Sequence, residues 1–149
     1  MIKPGNLFFK IKLSYSTNYG YSKSPDMTSM RKILIAEDEL VLQLMLKHML
    51  QKMGFSNIVA VERGRDVIDV CTNNDFDLIL MDIILLDDID GIEAYGRVKM
   101  RKKIPVIYIT GNTDPRNRIR AEKFGYVEYL AKPVTYVQLN SIIKDLFES

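Results

Sequence analysis

A chain of 149 residues is long enough for one domain with a buried core and too short for two ordinary ones. Its 47% hydrophobic and 27% charged residues fit a globular protein in water, and no apolar run approaches the roughly 20 residues that cross a bilayer. The net charge of +2 is uneven, because residues 1–29 carry four lysines against one aspartate while residues 30–149 carry 17 basic and 18 acidic side chains, giving no electrostatic case for nucleic acid.

Residues 1–29 stand apart. Asn6 to Leu13 has the makings of a short strand, but Lys10 and Lys12 break any signal-peptide core, and Ser14 to Ser24 has the composition of a linker. The functional unit is expected to span residues 30–149, starting near Met30, with residues 1–29 flexible or dispensable. Single Cys71 excludes an internal disulfide and suits a reducing, cytoplasmic setting.

From Arg31 a regular alternation begins. Ile33–Ala36 reads as a buried strand running into Glu37-Asp38-Glu39. Leu40 to Met53 is helical, with Leu42, Met45, Leu46, Met49 and Met53 expected inward and Gly54 ending it. Ile58–Val61 is a second strand and Gly64–Thr72 a short helix. Leu78–Met81 is a strand apolar on both faces that stops at Asp82. A helix is predicted over 91–100, then a strand over 106–109. Asp114-Pro115 is an N-cap and N1 pair for a helix to Phe124, with Ile119, Ala121 and Phe124 inward. Val127–Ala131 is the fifth strand, and the last helix starts near Tyr136 with Leu139, Ile142, Ile143 and Leu146 inward. Five strand–helix units in about 120 residues predict an α/β fold: a doubly wound five-stranded parallel sheet with right-handed crossovers.

In such a sheet all strand carboxyl ends reach one edge, where open α/β sheets place their chemistry. Those ends carry Glu37 and Asp38, Asp82, Thr110 and Lys132. Taken by itself, Asp82 serves equally well as a cap for the next helix. As a set, three carboxylates within about 4–6 Å would repel by several kcal/mol per pair at an effective dielectric near 20. Such a group calls for a cation, and an all-oxygen donor set suits Mg²⁺. A neighbouring lysine and hydroxyl would complete a site for a dianionic phosphoryl group.

The runs Ile33-Leu34-Ile35-Ala36-Glu37-Asp38-Glu39, Asp77 to Asp82, Asp90-Gly91-Ile92-Glu93, Val106 to Gly111 and Tyr129-Leu130-Ala131-Lys132-Pro133 resemble, in order and spacing, the motifs of receiver domains of two-component response regulators. The resemblance covers residues 31–149. It implies a flavodoxin-like (βα)5 fold with strand order 2-1-3-4-5 and a single-domain receiver rather than a turnover enzyme. Asp82 would be the phosphoacceptor, taking a phosphoryl group from a histidine kinase or phosphotransfer protein. Asp38 and Asp82 would bind Mg²⁺ directly, Glu37 through water, and the Ile84 carbonyl would add a ligand. Lys132 would pair with the phosphoryl oxygens across a cis Lys132–Pro133 bond, and Thr110 and Tyr129 would be the switch pair. The output would pass to a protein target through the fourth helix, fifth strand and fifth helix, with no nucleic acid or membrane partner, as a monomer or a phosphorylation-dependent dimer.

Two departures from the family pattern stand out: Leu86 takes a usual proline position in a loop one residue longer than the common form, and Tyr126 replaces a small residue. Ile84 cannot orient an attacking water, so a long-lived phosphoryl state is expected. The rival readings are a pseudo-receiver that works without phosphorylation and an aspartyl-phosphate phosphatase. The phosphatase would need an acid–base carboxylate at position 84. Cys71 reads as core, His48 as a solvated side chain, and Lys99, Arg101, Lys102 and Lys103 as cations at a helix C-terminus. Arg116, Arg118, Arg120 and Lys123 crowd a weakly anchored helix, the natural element to move.

Overall fold

Five short apolar runs, each too brief and too branched to be a helix, pair into one sheet. The computed structural model describes residues 26–149; the expectations for Asn6–Leu13 and Ser14–Ser24 lie outside them. The strands are β1 (Lys32–Ala36), β2 (Asn57–Val61), β3 (Leu78–Met81), β4 (Val106–Thr110) and β5 (Glu128–Ala131). Between and after them run α1 (Leu40–Lys52), α2 (Gly64–Asn73), α3 (Gly91–Lys99), α4 (Pro115–Glu122) and α5 (Tyr136–Glu148). All neighbours pair parallel in the order β2-β1-β3-β4-β5, the doubly wound sheet that the alternation predicts. A single helical turn, Met27–Met30, capped by the Asp26 carboxylate, precedes β1, and the Ser56 hydroxyl donates to the Ser29 carbonyl at 3.2 Å.

Alternation along the central strands divides the core. Ile33, Ile35, Leu78, Leu80, Ile107 and Ile109 pack with Leu46 and Leu50 of α1 and Leu139 and Ile143 of α5. Leu34, Ala36, Ile79, Met81, Val106 and Tyr108 face α2, α3 and α4, meeting Val67, Cys71, Ile92, Tyr95, Val98 and Ala121. Both faces of β3 are covered, which is why Leu78–Met81 is apolar throughout.

Two helices depart from expectation, each at one residue expected inward, while Leu46, Met49, Met53, Ala121 and Phe124 pack on the core as expected. In α1, Leu46 and Leu50 are buried, and Met45, expected inward, is 47% exposed. The segment is apolar nearly all round, so its periodicity does not define one face. In α4 only Ala121 is fully buried, and Ile119 is 61% exposed. Phe124, just beyond that helix, packs on the core as expected, against Gly96 of α3, where a Cβ would stand 2.6 Å from the ring.

The helix starts are set by side chains. Asp90 accepts from the Glu93 N–H at 2.8 Å, Asp114 from the Arg116 N–H at 3.0 Å, and Thr135 with Gln138 closes a capping box on α5. The cap of α3 is therefore Asp90, and Asp82 is left free for other work.

Candidate functional site

Parallel pairing lines up the ends of β1, β3, β4 and β5. The Asp82 N–H donates to the Ala36 carbonyl at 2.9 Å, the Glu37 N–H to Val61 at 3.0 Å and the Lys132 N–H to Thr110 at 3.0 Å. Three of the residues that follow strands are thus held to a neighbouring strand end. Gly91 lets α3 begin directly behind this edge: its N–H bonds the Ile83 carbonyl at 2.8 Å, and a Cβ there would lie 2.1 Å from the Asp82 carbonyl oxygen.

The carboxylates of Glu37, Asp38 and Asp82 each bring an oxygen within 4.8 Å of the others. Glu37 and Asp82 are buried, Asp38 half-buried. The Lys132 ammonium reaches across from the end of β5, 2.6 Å from Asp82 Oδ2 and 2.8 Å from Glu37 Oε2. Asp82 Oδ1 accepts the Ile83 N–H at 2.7 Å and Glu37 Oε1 the Glu39 N–H at 3.0 Å. Burial raises the Glu37 carboxyl above its ordinary range, only partly countered by Lys132 and the Glu39 N–H. Burial alone would lower the Lys132 ammonium, but its hydrogen bonds and charge contacts with Asp82 and Glu37 outweigh that and hold it above its usual value.

Part of the cation that the sequence calls for is therefore Lys132 itself. One ammonium cannot match three carboxylates, and the cluster's own ligand atoms are all oxygen. That set fits one hard divalent ion.

Thr110 ends β4, 2% exposed, with its hydroxyl accepting the Asn112 N–H at 3.1 Å. Tyr129 lies opposite Tyr108 on the face toward α4, the two ring centroids 5.8 Å apart. Ile84 turns its side chain outward in the loop after Asp82. Lys132–Pro133 is cis.

Three features escape a reading of the sequence. Asp87, legible only as part of an acidic turn, accepts the Gly64 N–H at 2.7 Å and the Arg65 N–H at 3.1 Å, capping α2 from another loop. With Leu86 N–H on the Glu62 carbonyl at 2.9 Å, this fixes the path of the lengthened loop. Asp90 pairs with Arg120 of α4 at 2.8 Å. Tyr126, marked in the sequence by its size, packs against Tyr108 and Tyr129.

The remaining candidates fall away from this edge. Cys71 is buried, its thiol pushed up to about 11 by burial, and His48 is exposed. Lys102 pairs with Asp75 at 2.9 Å and Lys99 donates to the Phe124 carbonyl, so both serve packing.

The sequence pattern of the response regulator receiver domain matches residues 33–144. The chain belongs to that family. It is a response-regulator receiver domain of the two-component type, in a family that signals rather than turns over substrate as a classical enzyme does. The receiver is 31% identical over 115 residues to the response regulator ArlR of Staphylococcus haemolyticus, covering 77% of this chain and 52% of that protein. It is 30% identical over 108 residues to the transcriptional regulatory protein ResD of Bacillus subtilis, covering 72% of this chain and 44% of that protein. The chain spans about half the length of these relatives. Among solved structures, a CheY-like receiver domain protein from Methanospirillum hungatei superposes with a TM-score of 0.73 at 28% identity, covering 79% of this chain and 94% of that one. The receiver domain of sensor histidine kinase PA1611 from Pseudomonas aeruginosa, with a magnesium ion coordinated in its active-site cleft, gives 0.71 at 28%, covering 80% and 98%. Among the described residues no helix is long and apolar enough to cross a membrane.

Proposed function

We propose that this receiver accepts a phosphoryl group on Asp82 from the phosphohistidine of a histidine kinase or phosphotransfer protein, and passes the signal on by protein contact. The observation that carries this reading is the Lys132 ammonium joining Asp82 to Glu37 beside the Asp38 carboxylate. An Asp82 oxygen attacks phosphorus, the phosphorus–nitrogen bond breaks, and the donor imidazole leaves with the electron pair. The N–H of Ile83 holds Asp82 Oδ1, leaving Oδ2 on Lys132. Lys132 then follows the negative charge onto the phosphoryl oxygens, and the Thr110 hydroxyl is placed at the neighbouring strand end to donate to one of them. Catalysis here is positioning and charge neutralisation.

Asp38, Asp82 and the Ile84 carbonyl would hold Mg²⁺, with Glu37 acting through water, and the ion would supply charge neutralisation on the phosphoryl oxygens. Thr110 and Tyr129 form the switch pair, and the output face is α4, β5 and α5. The working unit begins near residue 30, functions inside the cell as a monomer or a phosphorylation-dependent dimer, and needs neither nucleic acid nor membrane.

The test is intact mass after incubation with acetyl phosphate and Mg²⁺. The expected product is a single phosphoryl adduct that Asp82→Asn does not form. Release of inorganic phosphate with no adduct would indicate a phosphatase, and neither adduct nor turnover would indicate a receiver that works unphosphorylated.

A further inference from the structure

Two residues before Thr110, and on the same face of β4, stands Tyr108. Its side chain is fully buried, yet its hydroxyl has no hydrogen-bond partner among the described residues. The neighbouring phenol shows the contrast: Tyr95, 6.3 Å away between ring centroids, donates to the Ile104 carbonyl at 2.7 Å. Burial without a partner is costly for a hydroxyl and accounts for the Tyr108 phenol being pushed well above its ordinary pKa.

Ala121 packs in the same core cluster as Tyr108, and it is the only residue that α4 buries completely. Two arginines also fasten that helix. Arg118 places its guanidinium carbon 5.4 Å from the centre of the Tyr129 ring and donates to the Tyr126 hydroxyl at 3.4 Å. Arg120 pairs with Asp90 at 2.8 Å, and these two groups are among the charges that act on the Tyr108 phenol. Both arginine contacts are partly solvent-exposed, which keeps each weak. A helix held by weak contacts beside an unsatisfied buried group has little free energy to lose, and one hydrogen bond to gain, in a position that satisfies that group.

We propose that Tyr108 biases the switch of this receiver: its unpartnered hydroxyl destabilises the α4 position described here, and α4 leaves for a second position, in which that hydroxyl is bonded, when Arg118 and Arg120 release Tyr129 and Asp90. Asp90 couples this movement to the acceptor, since Gly91, next to it, is bonded to Ile83, next to Asp82. The trigger rests on the proposed phosphorylation of Asp82; the bias exists without it. By linkage, whatever favours the second α4 position also favours phosphoryl uptake, and the reverse.

The test compares the full chain with Tyr108→Phe, Arg118→Ala and Tyr95→Phe by amide hydrogen exchange across residues 113–124 in the unmodified protein, alongside melting temperature. Tyr108→Phe removes the unsatisfied hydroxyl without changing the ring, so α4 exchange slows roughly tenfold and the melting temperature rises. Arg118→Ala speeds that exchange. Tyr95→Phe, which removes a satisfied hydroxyl, lowers the melting temperature. With acetyl phosphate, uptake onto Asp82 slows several-fold in Tyr108→Phe and quickens in Arg118→Ala. Unchanged or faster α4 exchange in Tyr108→Phe, or failure of that variant to fold, overturns the proposal, because the hydroxyl would then be neutral or stabilising. If the wild-type protein takes up no phosphoryl group, the proposed function fails while the exchange comparison still decides this one.

Discussion

Lys132 and Asp87 show how single charged groups hold this sheet edge together. Glu37 is 1% exposed and keeps its charge against burial with the help of Lys132. Lys132→Met would leave that carboxylate unpaired, costing about 3 kcal/mol at neutral pH by denaturant unfolding. Glu37 titrates above its unfolded value, so the penalty of ionising it is present above its folded pKa and fades as pH falls through it. The gap between variant and wild type should therefore narrow on acidification from neutral pH. Asp87 has the opposite sign. Burial would raise it, but the N–H groups of Arg65 and Gly64 outweigh that and lower its pKa. Its contribution is complete above the unfolded carboxylate value and is lost as pH falls through the folded one. Asp87→Ala should cost about 1 kcal/mol at neutral pH and nothing measurable once the wild-type group is protonated. Asp38 gives a test by ligand addition: Mg²⁺ at about 100 times its dissociation constant should stabilise the wild type by about 2.7 kcal/mol, and Asp38→Ala should lose most of that gain in thermal melts.

At the scale of elements, the helix starts carry more of the site than the helix bodies. Gly91 allows α3 to begin against the Asp82 carbonyl, so Gly91→Ala should cost about 1–3 kcal/mol in unfolding and weaken Mg²⁺ binding along with it. The elements themselves are plain in the sequence, because β-branched and leucine runs alternate with helical spacing and Asp114-Pro115 marks a helix start. What is not plain is which way a helix faces. Leu40, Val41, Leu42, Leu44, Met45 and Leu46 leave α1 with apolar residues on nearly every side, so the contact with the sheet, not the pattern, turns Leu50 inward and Met45 outward. In α4, Ile119 faces solvent because the helix is only eight residues long and its anchor, Phe124, lies beyond its end.

For the whole molecule, the gathering of Glu37, Asp38, Asp82 and Lys132 was legible because parallel strands all end at one edge, whatever the loops between them do. The aromatic group of Tyr108, Tyr126 and Tyr129 was not, since it joins residues from two strands and the loop between α4 and β5 whose spacing follows no period. Asp87 and Asp90 likewise act on helices remote in sequence. The proposed start of the unit near residue 30 is checked by deletion: a chain lacking residues 1–26 should melt at the same temperature as the full chain and take up a phosphoryl group at the same rate.

The loop after the acceptor is moored at both sides, through Asp87 to α2 and through Asp90 to α4, with only Asp88 and Ile89 between the moorings. So short a tether has little slack to absorb a displacement of the acceptor. A shift at Asp82 therefore pulls on both moorings at once, dragging α2 and breaking the weaker Asp90–Arg120 pair, so a reporter dye on α2 should register the same event, at the same rate, as one on α4.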